Sequence, residues 1–218
     1  MVSWSINKWL TGLLTYVSSF LDDESDFWKN GNPTDELAQK LQLVHNLLKR
    51  SLEVMPMIPV TLRKQIRLEF PYFKQANFKI IAYIDNLLKL LEYCPNMIFD
   101  VLELIFENLL LIDVNASRDQ IEESECTEDN DSETDSDDDS EKMKLPVAET
   151  LDMCMEKVLG YFHSKFREGS DTDRSDQKMM TQAIFSYFNE QILKTYTKHV
   201  HFILFYIASL KVSWPCVL

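Results

Sequence analysis

Prolines separate the apolar stretches of this 218-residue chain and do not interrupt them. Because proline lacks a backbone N–H and clashes with the preceding helical turn, this placement is typical of helices joined by short connections. Between the prolines, apolar residues recur at steps of three and four, as on one face of an α-helix. No strand-like alternation or hairpin signal competes with this pattern, so the sequence predicts an all-α fold.

The first predicted helix has Asn32 as its cap and Pro33 as its first helical residue. Its core-facing stripe consists of Leu37, Leu41, Val44 and Leu48. Further helices are predicted over about residues 59–70, 75–93, 97–112, 146–162, 177–193 and 199–210. The one spanning about 97–112 is apolar nearly all round, which is typical of a helix at the centre of a fold.

An acidic run from Asp119 to Glu141 holds thirteen carboxylates and no Lys or Arg. It accounts for the whole formal net charge of −13, because the other 195 residues carry 22 acidic and 22 basic side chains. Apart from Ile121 and Cys126 the run has nothing to bury, and its like charges repel, so we expect it to be disordered. A long insert of this kind within a folded domain is usually functional.

Helix pairs begin near residues 34, 75 and 146, and the last interval falls to about 48 residues once the 23-residue acidic run is removed. Such a period indicates a HEAT/armadillo-like helical-repeat solenoid interrupted by a disordered acidic loop. A generic helical bundle is the alternative. The expected divisions are helical repeats over 1–112, the acidic insert over 113–145, further repeats over 146–212 and a tail over 213–218.

Two polar features are candidate sites. Ser132, Thr134 and Ser136 each have an acidic residue three positions later, the pattern that an acidophilic kinase reads, and phosphorylation would add negative charge there. An unmodified solvating loop is the alternative. The second feature is a basic stretch around the 70–73 loop that binds an acidic partner or is simply a solvated surface. It consists of Arg63, Lys64, Arg67, Lys74 and Lys79.

Residues that would converge on catalysis are scarce. His199 and His201 lie two positions apart, on different helix faces, while His45 and His163 are isolated, so none has the spacing of a helical metal site. The glycines form no nucleotide-binding motif. We therefore expect no enzyme activity, no metal and no cofactor. Direct nucleic-acid readout is not expected either, because the chain outside the acidic run is neutral.

The cysteines at 94, 126, 154 and 216 form no CxxC pair, and three of them adjoin apolar segments, which favours reduced thiols inside the cell. The first 21 residues lack the basic start and cleavage site of a signal peptide. Residues 200–210 are too short to span a bilayer, and Cys216 lies one position too late for a prenylation box. No membrane association is expected.

Motifs on both sides of the acidic run carry a family resemblance. Upstream are V-L-E-L-I at 101–105 and D-V-N-A-S-R at 113–118; downstream is L-P-V-A-E at 145–149. Further motifs are I-P-V-T-L at 58–62, F-P-Y-F at 70–73, the helix over 83–88, and H-V-H-F at 199–202 leading to F-Y at 205–206. In this order, over about residues 56–212, they resemble the RNA polymerase I-specific transcription initiation factor family.

The resemblance implies a HEAT-repeat protein without enzymatic activity. It also implies a role in the nucleolus, within the nucleus. Members of the family bind RNA polymerase I and make it competent to join the promoter-bound selectivity factor at ribosomal RNA genes. Control of the family by phosphorylation fits the serines of the insert. The alternatives are a generic HEAT-type adaptor, for example in nuclear transport, and a polyanionic chaperone that binds basic partners such as histones.

Residues 1–30 and 213–218 do not align with the family motifs, and family members are much longer. We therefore expect a fragment, a truncated isoform or an incomplete gene model. The last helix lacks the polar outer face that a terminal repeat needs, so we expect poor solubility, self-association through residues 199–214, or the need for a partner there.

Overall fold

Seven α-helices lie within the part of the chain that the computed structural model describes, namely residues 28–29, 32–55, 57–116, 146–167, 174–195 and 197–210. They are α1 Asp35–Val54, α2 Ile58–Leu68, α3 Asn77–Tyr93, α4 Ile98–Asn115, α5 Pro146–Phe166, α6 Arg174–Glu190 and α7 Phe202–Ser209. Short 3-10 turns at Pro95–Met97 and Ile192–Lys194 precede α4 and follow α6. The predicted all-α class is confirmed.

The start of α1 differs from the prediction. Asn32–Pro33 (β2) is extended and pairs antiparallel with Trp28–Lys29 (β1), so Asn32 does not cap the helix. Thr34 takes the cap position with extended backbone, and its carbonyl accepts the Ala38 N–H at 2.8 Å. The helix therefore begins two residues later than predicted, because the two residues of β2 are engaged in the pairing.

The predicted core stripe of α1 is confirmed: Leu37, Leu41 and Leu48 are buried and Val44 is half-buried. Asp35 and Glu36 occupy the first turn, where negative charge complements the helix dipole.

Helix α4 lies at the centre of the described fold, as its apolar sequence indicated. It contacts α2 and α3 on the N-terminal side of the acidic insert and α5 and α6 on the C-terminal side. Phe106 on α4 is fully buried and packs against Phe162 of α5 and Phe188 of α6, with ring centroids 6.3 and 5.9 Å apart. The helices on both sides of the insert thus share one hydrophobic core.

Helix α3 also bridges the insert, because it packs along α5. Cys94 at its end and Cys154 on α5 are buried, free thiols, as expected, and burial raises the pKa of Cys154 to about 12. Cys126 and Cys216 lie outside the described residues. At the C-terminal end, α7 packs on α5.

Candidate functional site

The five cations of the basic stretch lie on three elements. Arg63, Lys64 and Arg67 belong to α2, Lys74 belongs to the loop between α2 and α3, and Lys79 lies half-buried on α3. The five cations thus follow α2, the loop after it and the first turn of α3, and their side chains do not share the same surroundings.

Arg63 and Arg67 are paired with carboxylates of α4. The Arg63 Nε lies 2.8 Å from the Asp100 Oδ2, and the Arg67 guanidinium is shared between Glu103, at 3.4 Å, and Glu107. All of these side chains are substantially exposed, so the ion pairs contribute little to stability. Their consequence is electrostatic: α4 already neutralises both arginines.

The exposed lysines remain. Within the described part of the chain, neither Lys64 nor Lys74 has a carboxylate partner. The Lys74 Nζ lies 5.7 Å from the centroid of the Phe73 ring, a cation–π contact that leaves its charge available. Lys64 and Lys74 are thus the cations that an acidic partner would meet first.

A groove separates the 70–73 loop from α4 and encloses about 590 Å³. We call it the loop–α4 groove. Its lining is largely aromatic and aliphatic, with a few polar side chains. The lining residues are Arg67, Phe70, Pro71, Tyr72, Phe73, Leu104, Glu107, Asn108, Leu110, Leu111, Val114 and Thr195.

The loop that forms one wall of this groove is anchored to the core. The Phe70 ring packs edge-on against Tyr83, with centroids 5.0 Å apart, and the buried Tyr83 hydroxyl donates to the Ile66 carbonyl at 2.8 Å. A backbone bond from the Gln75 N–H to the Tyr72 carbonyl, 2.8 Å long, closes the turn. The F-P-Y-F motif therefore shapes a fixed surface.

Asp113, near the end of α4, is a fully buried carboxylate that joins α4 to the segment before α7. Its Oδ2 accepts backbone N–H bonds from Lys198 at 2.8 Å, His199 at 3.0 Å and Val200 at 3.2 Å. Three consecutive N–H groups at the entrance to a helix match a carboxylate well, because they lack partners within the helix. We call this arrangement the Asp113 joint.

Side chains complete the Asp113 joint. The His199 Nδ1 lies 3.0 Å from the Asp113 Oδ1, and the Lys198 ammonium donates to the Ala116 carbonyl at the end of α4. These bonds account for the late start of the last helix. The backbone N–H groups of residues 198–200 point at Asp113, so α7 begins at Phe202 and not at His199.

The two sequence motifs at 113–118 and 199–202 thus meet in space, although 80 residues separate them. Sequence reasoning identified both motifs and missed their contact. The available signal was the position of Asp113: it follows Leu109 by four residues and so shares the buried face of α4. A carboxylate on such a face requires hydrogen-bond donors from elsewhere.

His45 connects α1 to α3. The Asn86 amide group donates to the Ala82 carbonyl at 2.7 Å, so the Asn86 Oδ1 is the acceptor that faces the His45 Nε2 at 2.9 Å. The neutral ring therefore carries its proton on Nε2, and its Nδ1 accepts from the Tyr93 hydroxyl at 2.8 Å. Burial lowers the pKa of His45 below its ordinary value of 6.5, since the charged ring would lose solvation.

This shift predicts a loss of stability in mild acid. Above about pH 6.5 His45 is neutral in both states. As pH falls below that value, the unfolded chain binds a proton that the folded chain resists, so the free energy of unfolding declines until the lower, folded-state pKa is passed. We expect His45 to account for up to about 1 kcal/mol between pH 7.5 and 5.5, since one pH unit corresponds to 1.4 kcal/mol per proton.

Urea unfolding at both pH values tests this, with His45→Gln as the variant and His163→Gln, at an exposed position, as the control. The pH dependence should shrink in the first variant and persist in the second. An unchanged pH dependence of the His45 variant would contradict the assignment.

The outer face of α7 is aromatic. Phe202 and Phe205 are exposed, and the ring centroids of His201 and Phe202 lie 4.2 Å apart with the ring planes tilted by 36°. Ile203 and Ile207 point into the core, and the Tyr206 hydroxyl lies 3.0 Å from the His163 Nδ1 on α5. This exposed face is the described part of the segment for which self-association was expected.

The predicted start of the acidic insert at residue 113 is wrong, because α4 continues to Asn115 and Asp113 is buried. Several other expectations fall outside the described residues, among them the disorder of the acidic run over 119–141 and the candidate phosphorylation sites Ser132, Thr134 and Ser136. They stay predictions. Over the residues that the structure covers, no group of three or more His, Cys, Asp or Glu side chains could hold a metal ion. None of the described helices has the length and hydropathy needed to cross a membrane.

Comparison with known proteins is consistent with this architecture. A mouse protein, "RNA polymerase I-specific transcription initiation factor RRN3", is 27% identical in an alignment 202 positions long that covers 83% of this chain and 31% of the mouse protein. The corresponding factor of Schizosaccharomyces pombe is 35% identical over 80 residues, or 37% of this chain and 13% of the yeast protein. The chain therefore spans less than a third of these relatives.

A solved structure has the same fold. The crystal structure of RNA polymerase I transcription initiation factor Rrn3 superposes with a TM-score of 0.67 at 22% identity, covering 94% of this chain and 37% of the solved one. This likeness supports the HEAT/armadillo-like arrangement of helices over a generic bundle.

The family model for RNA polymerase I specific transcription initiation factor RRN3 matches residues 1–214. The match confirms the resemblance seen in the motifs and extends it over residues 1–55. It also makes the prediction of a non-enzymatic protein correct, because the family is one of transcription initiation factors. The chain thus belongs to the RNA polymerase I specific transcription initiation factor RRN3 family.

Proposed function

We propose that this chain acts in RNA polymerase I initiation by binding the polymerase and linking it to the promoter-bound selectivity factor for ribosomal RNA synthesis. The observation that carries this proposal is the family match over residues 1–214. The chain spans only part of its relatives. Linking the polymerase to the selectivity factor requires two binding surfaces, whereas binding the polymerase requires one. Action of this kind would take place in the nucleus, at the nucleolus.

Affinity capture with the tagged, full-length chain tests the proposal. Recovery of RNA polymerase I subunits supports it. Recovery of histones would favour a polyanionic chaperone, and recovery of transport receptors would favour a nuclear adaptor. A second capture with purified selectivity factor separates the two halves: polymerase binding without selectivity-factor binding would restrict the function to the polymerase.

The basic stretch is proposed to contact the polymerase, and the structure sharpens the variant that tests this. Reversing Arg63 or Arg67 to Glu would place a new carboxylate against those of α4 and add a local repulsion that is unrelated to polymerase binding. The double variant Lys64→Glu with Lys74→Glu also replaces positive charges by negative ones, but at exposed positions and without breaking an ion pair with α4. We expect this double variant to bind polymerase I more weakly, with the difference shrinking as salt rises, because exposed charges are screened over about 8 Å at physiological ionic strength.

The matched control is Lys49→Glu with Arg50→Glu, two exposed cations on α1. It makes the same change in net charge away from the basic stretch. Equal binding of both double variants would assign Lys64 and Lys74 to the ordinary solvated surface.

Self-association through α7 is proposed alongside polymerase binding. The exposed aromatic groups of Phe202 and Phe205 support it, since paired large apolar side chains on one surface mark contact sites. Sedimentation equilibrium of the chain alone measures self-association, and a monomer at high concentration would exclude it.

Phosphorylation of the acidic insert by an acidophilic kinase is proposed as the control of these contacts, and phosphopeptide mapping tests whether the insert is phosphorylated.

A further inference from the structure

The loop–α4 groove has the dimensions of a helix-binding site. Its α4 wall presents Leu104, Asn108, Leu111 and Val114, at steps of four, three and three residues. At 1.5 Å per residue these positions span about 15 Å, the length of a three-turn helix of about ten residues. The volume of about 590 Å³ lies within the range of pockets that bind ligands specifically.

The apolar side chains of this groove are exposed to a degree that folding alone does not explain. Tyr72 is 58% exposed, Leu111 43% and Val114 48%. Single exposed apolar residues are ordinary on protein surfaces, but a set of them lining both walls of one groove marks an interaction site. Covering this set would remove apolar surface from water, which is the main favourable term in association.

The groove is also preformed. Two interactions anchor the 70–73 loop: the ring contact between Phe70 and Tyr83, and the hydrogen bond from the Tyr83 hydroxyl to the Ile66 carbonyl. They hold the aromatic wall of the groove in place. A partner would therefore not have to order the loop on binding, a cost that otherwise subtracts from affinity.

Charge selects the kind of partner. Helix α4 contains no Lys or Arg, and among the described residues its carboxylates Asp100, Glu103 and Glu107 pair with the two arginines of α2. One negative charge is left over beside Glu103 and Glu107, and Glu107 lines the groove. A partner with a basic residue at this end would complement it, whereas one with an acidic residue there would be repelled.

We propose that the loop–α4 groove binds an amphipathic helix of RNA polymerase I, about three turns long. Large apolar residues spaced i, i+3 or i+4, and i+7 pack against Tyr72, Leu111 and Val114. A Lys or Arg at one end of that helix lies next to Glu103 and Glu107. The inference rests on the proposed function, since it names the site and the binding mode by which this chain holds the polymerase.

Purified RNA polymerase I and the full-length chain provide the test. Leu111→Glu with Val114→Glu puts charge into the groove at two exposed positions. Leu43→Glu with Leu47→Glu makes the same change at exposed positions of α1 and is the matched control. We expect the groove variant to bind polymerase I at least tenfold more weakly and the control to bind like the wild type, with all three proteins unfolding at similar urea concentrations.

The outcomes are distinguishable. If the wild type binds polymerase I and the groove variant binds equally well, the groove assignment is wrong while the proposed function stands. If the wild type does not bind polymerase I, both fail. If the groove variant instead changes the sedimentation of the chain alone and leaves polymerase binding intact, the occupant is a second copy and the proposal is overturned.

A photoreactive side chain reads out the binding mode. With benzoylphenylalanine at position 111, cross-linked polymerase peptides identified by mass spectrometry should come from a segment with apolar residues at helical spacing and a basic residue near one end. Cross-links to a segment of strict alternation, typical of an extended strand, would contradict the proposed helix. The smaller variant Tyr72→Ala should weaken cross-linking without a charge change, which separates loss of contact from repulsion.

Discussion

Replacing Asp113 by Ala should lower the free energy of unfolding by about 3–5 kcal/mol. The substitution leaves three N–H groups without their acceptor: that of Val200, which is buried, and those of Lys198 and His199, which are partly buried. Each unsatisfied buried donor costs about 1–3 kcal/mol. Partial access of water to the rearranged turn keeps the total below the sum of three full penalties.

Two further variants locate the cause of this loss. Asp113→Asn keeps the shape and one carbonyl oxygen but loses the charge and one acceptor, so its effect should be about half as large. His199→Ala removes only a half-exposed side-chain bond and should cost less than about 1 kcal/mol. Urea unfolding gives the free energies, and hydrogen exchange should show the loss of protection concentrated in residues 197–210. An Asp113→Ala protein as stable as the wild type would show that these hydrogen bonds do not hold α7.

Truncating Phe106 to Ala should cost about 3–5 kcal/mol, the range for emptying a large aromatic site in a close-packed core. Phe106 is fully buried on α4, and its ring meets Phe162, Tyr187 and Phe188 within 6.3 Å, all from helices beyond the acidic insert. Removal of the Phe106 ring should therefore weaken the packing of α5 and α6 against the N-terminal helices.

The control for this substitution is Phe99→Ala on the same helix, where the side chain is 44% exposed. It removes the same atoms from a site that water already reaches, so we expect less than half the effect. Thermal and urea unfolding of the two variants measure the difference. Equal destabilisation would mean that helix propensity, and not the shared core, determines the cost.

Periodicity alone predicted the helices whose buried face is built from their own sequence. The apolar stripe of α1 follows from residues three and four apart, and the central position of α4 follows from its apolar character on all sides. The family, too, was recognisable in short motifs, because their order along the chain is itself a property of sequence.

Helix boundaries were less predictable where another element supplies the partner. Asn32 and Pro33 read as a cap and a first helical residue, yet their pairing with Trp28–Lys29 displaced the start of α1. The start of α7 moved from His199 to Phe202 because Asp113, 86 residues away from His199, takes the backbone N–H groups of the turn. Local propensity contains no information about such a donor–acceptor pair.

The basic stretch shows the same division. Its five cations could be read from the sequence, but not that α4 would neutralise Arg63 and Arg67 and leave Lys64 and Lys74 exposed. Hydrophobic spacing is local, so the sequence by itself determined the all-α class, the core-facing residues and the family. The Asp113 joint, the loop–α4 groove and the charges available to a partner depend on which helices meet, and only the tertiary structure decided those contacts.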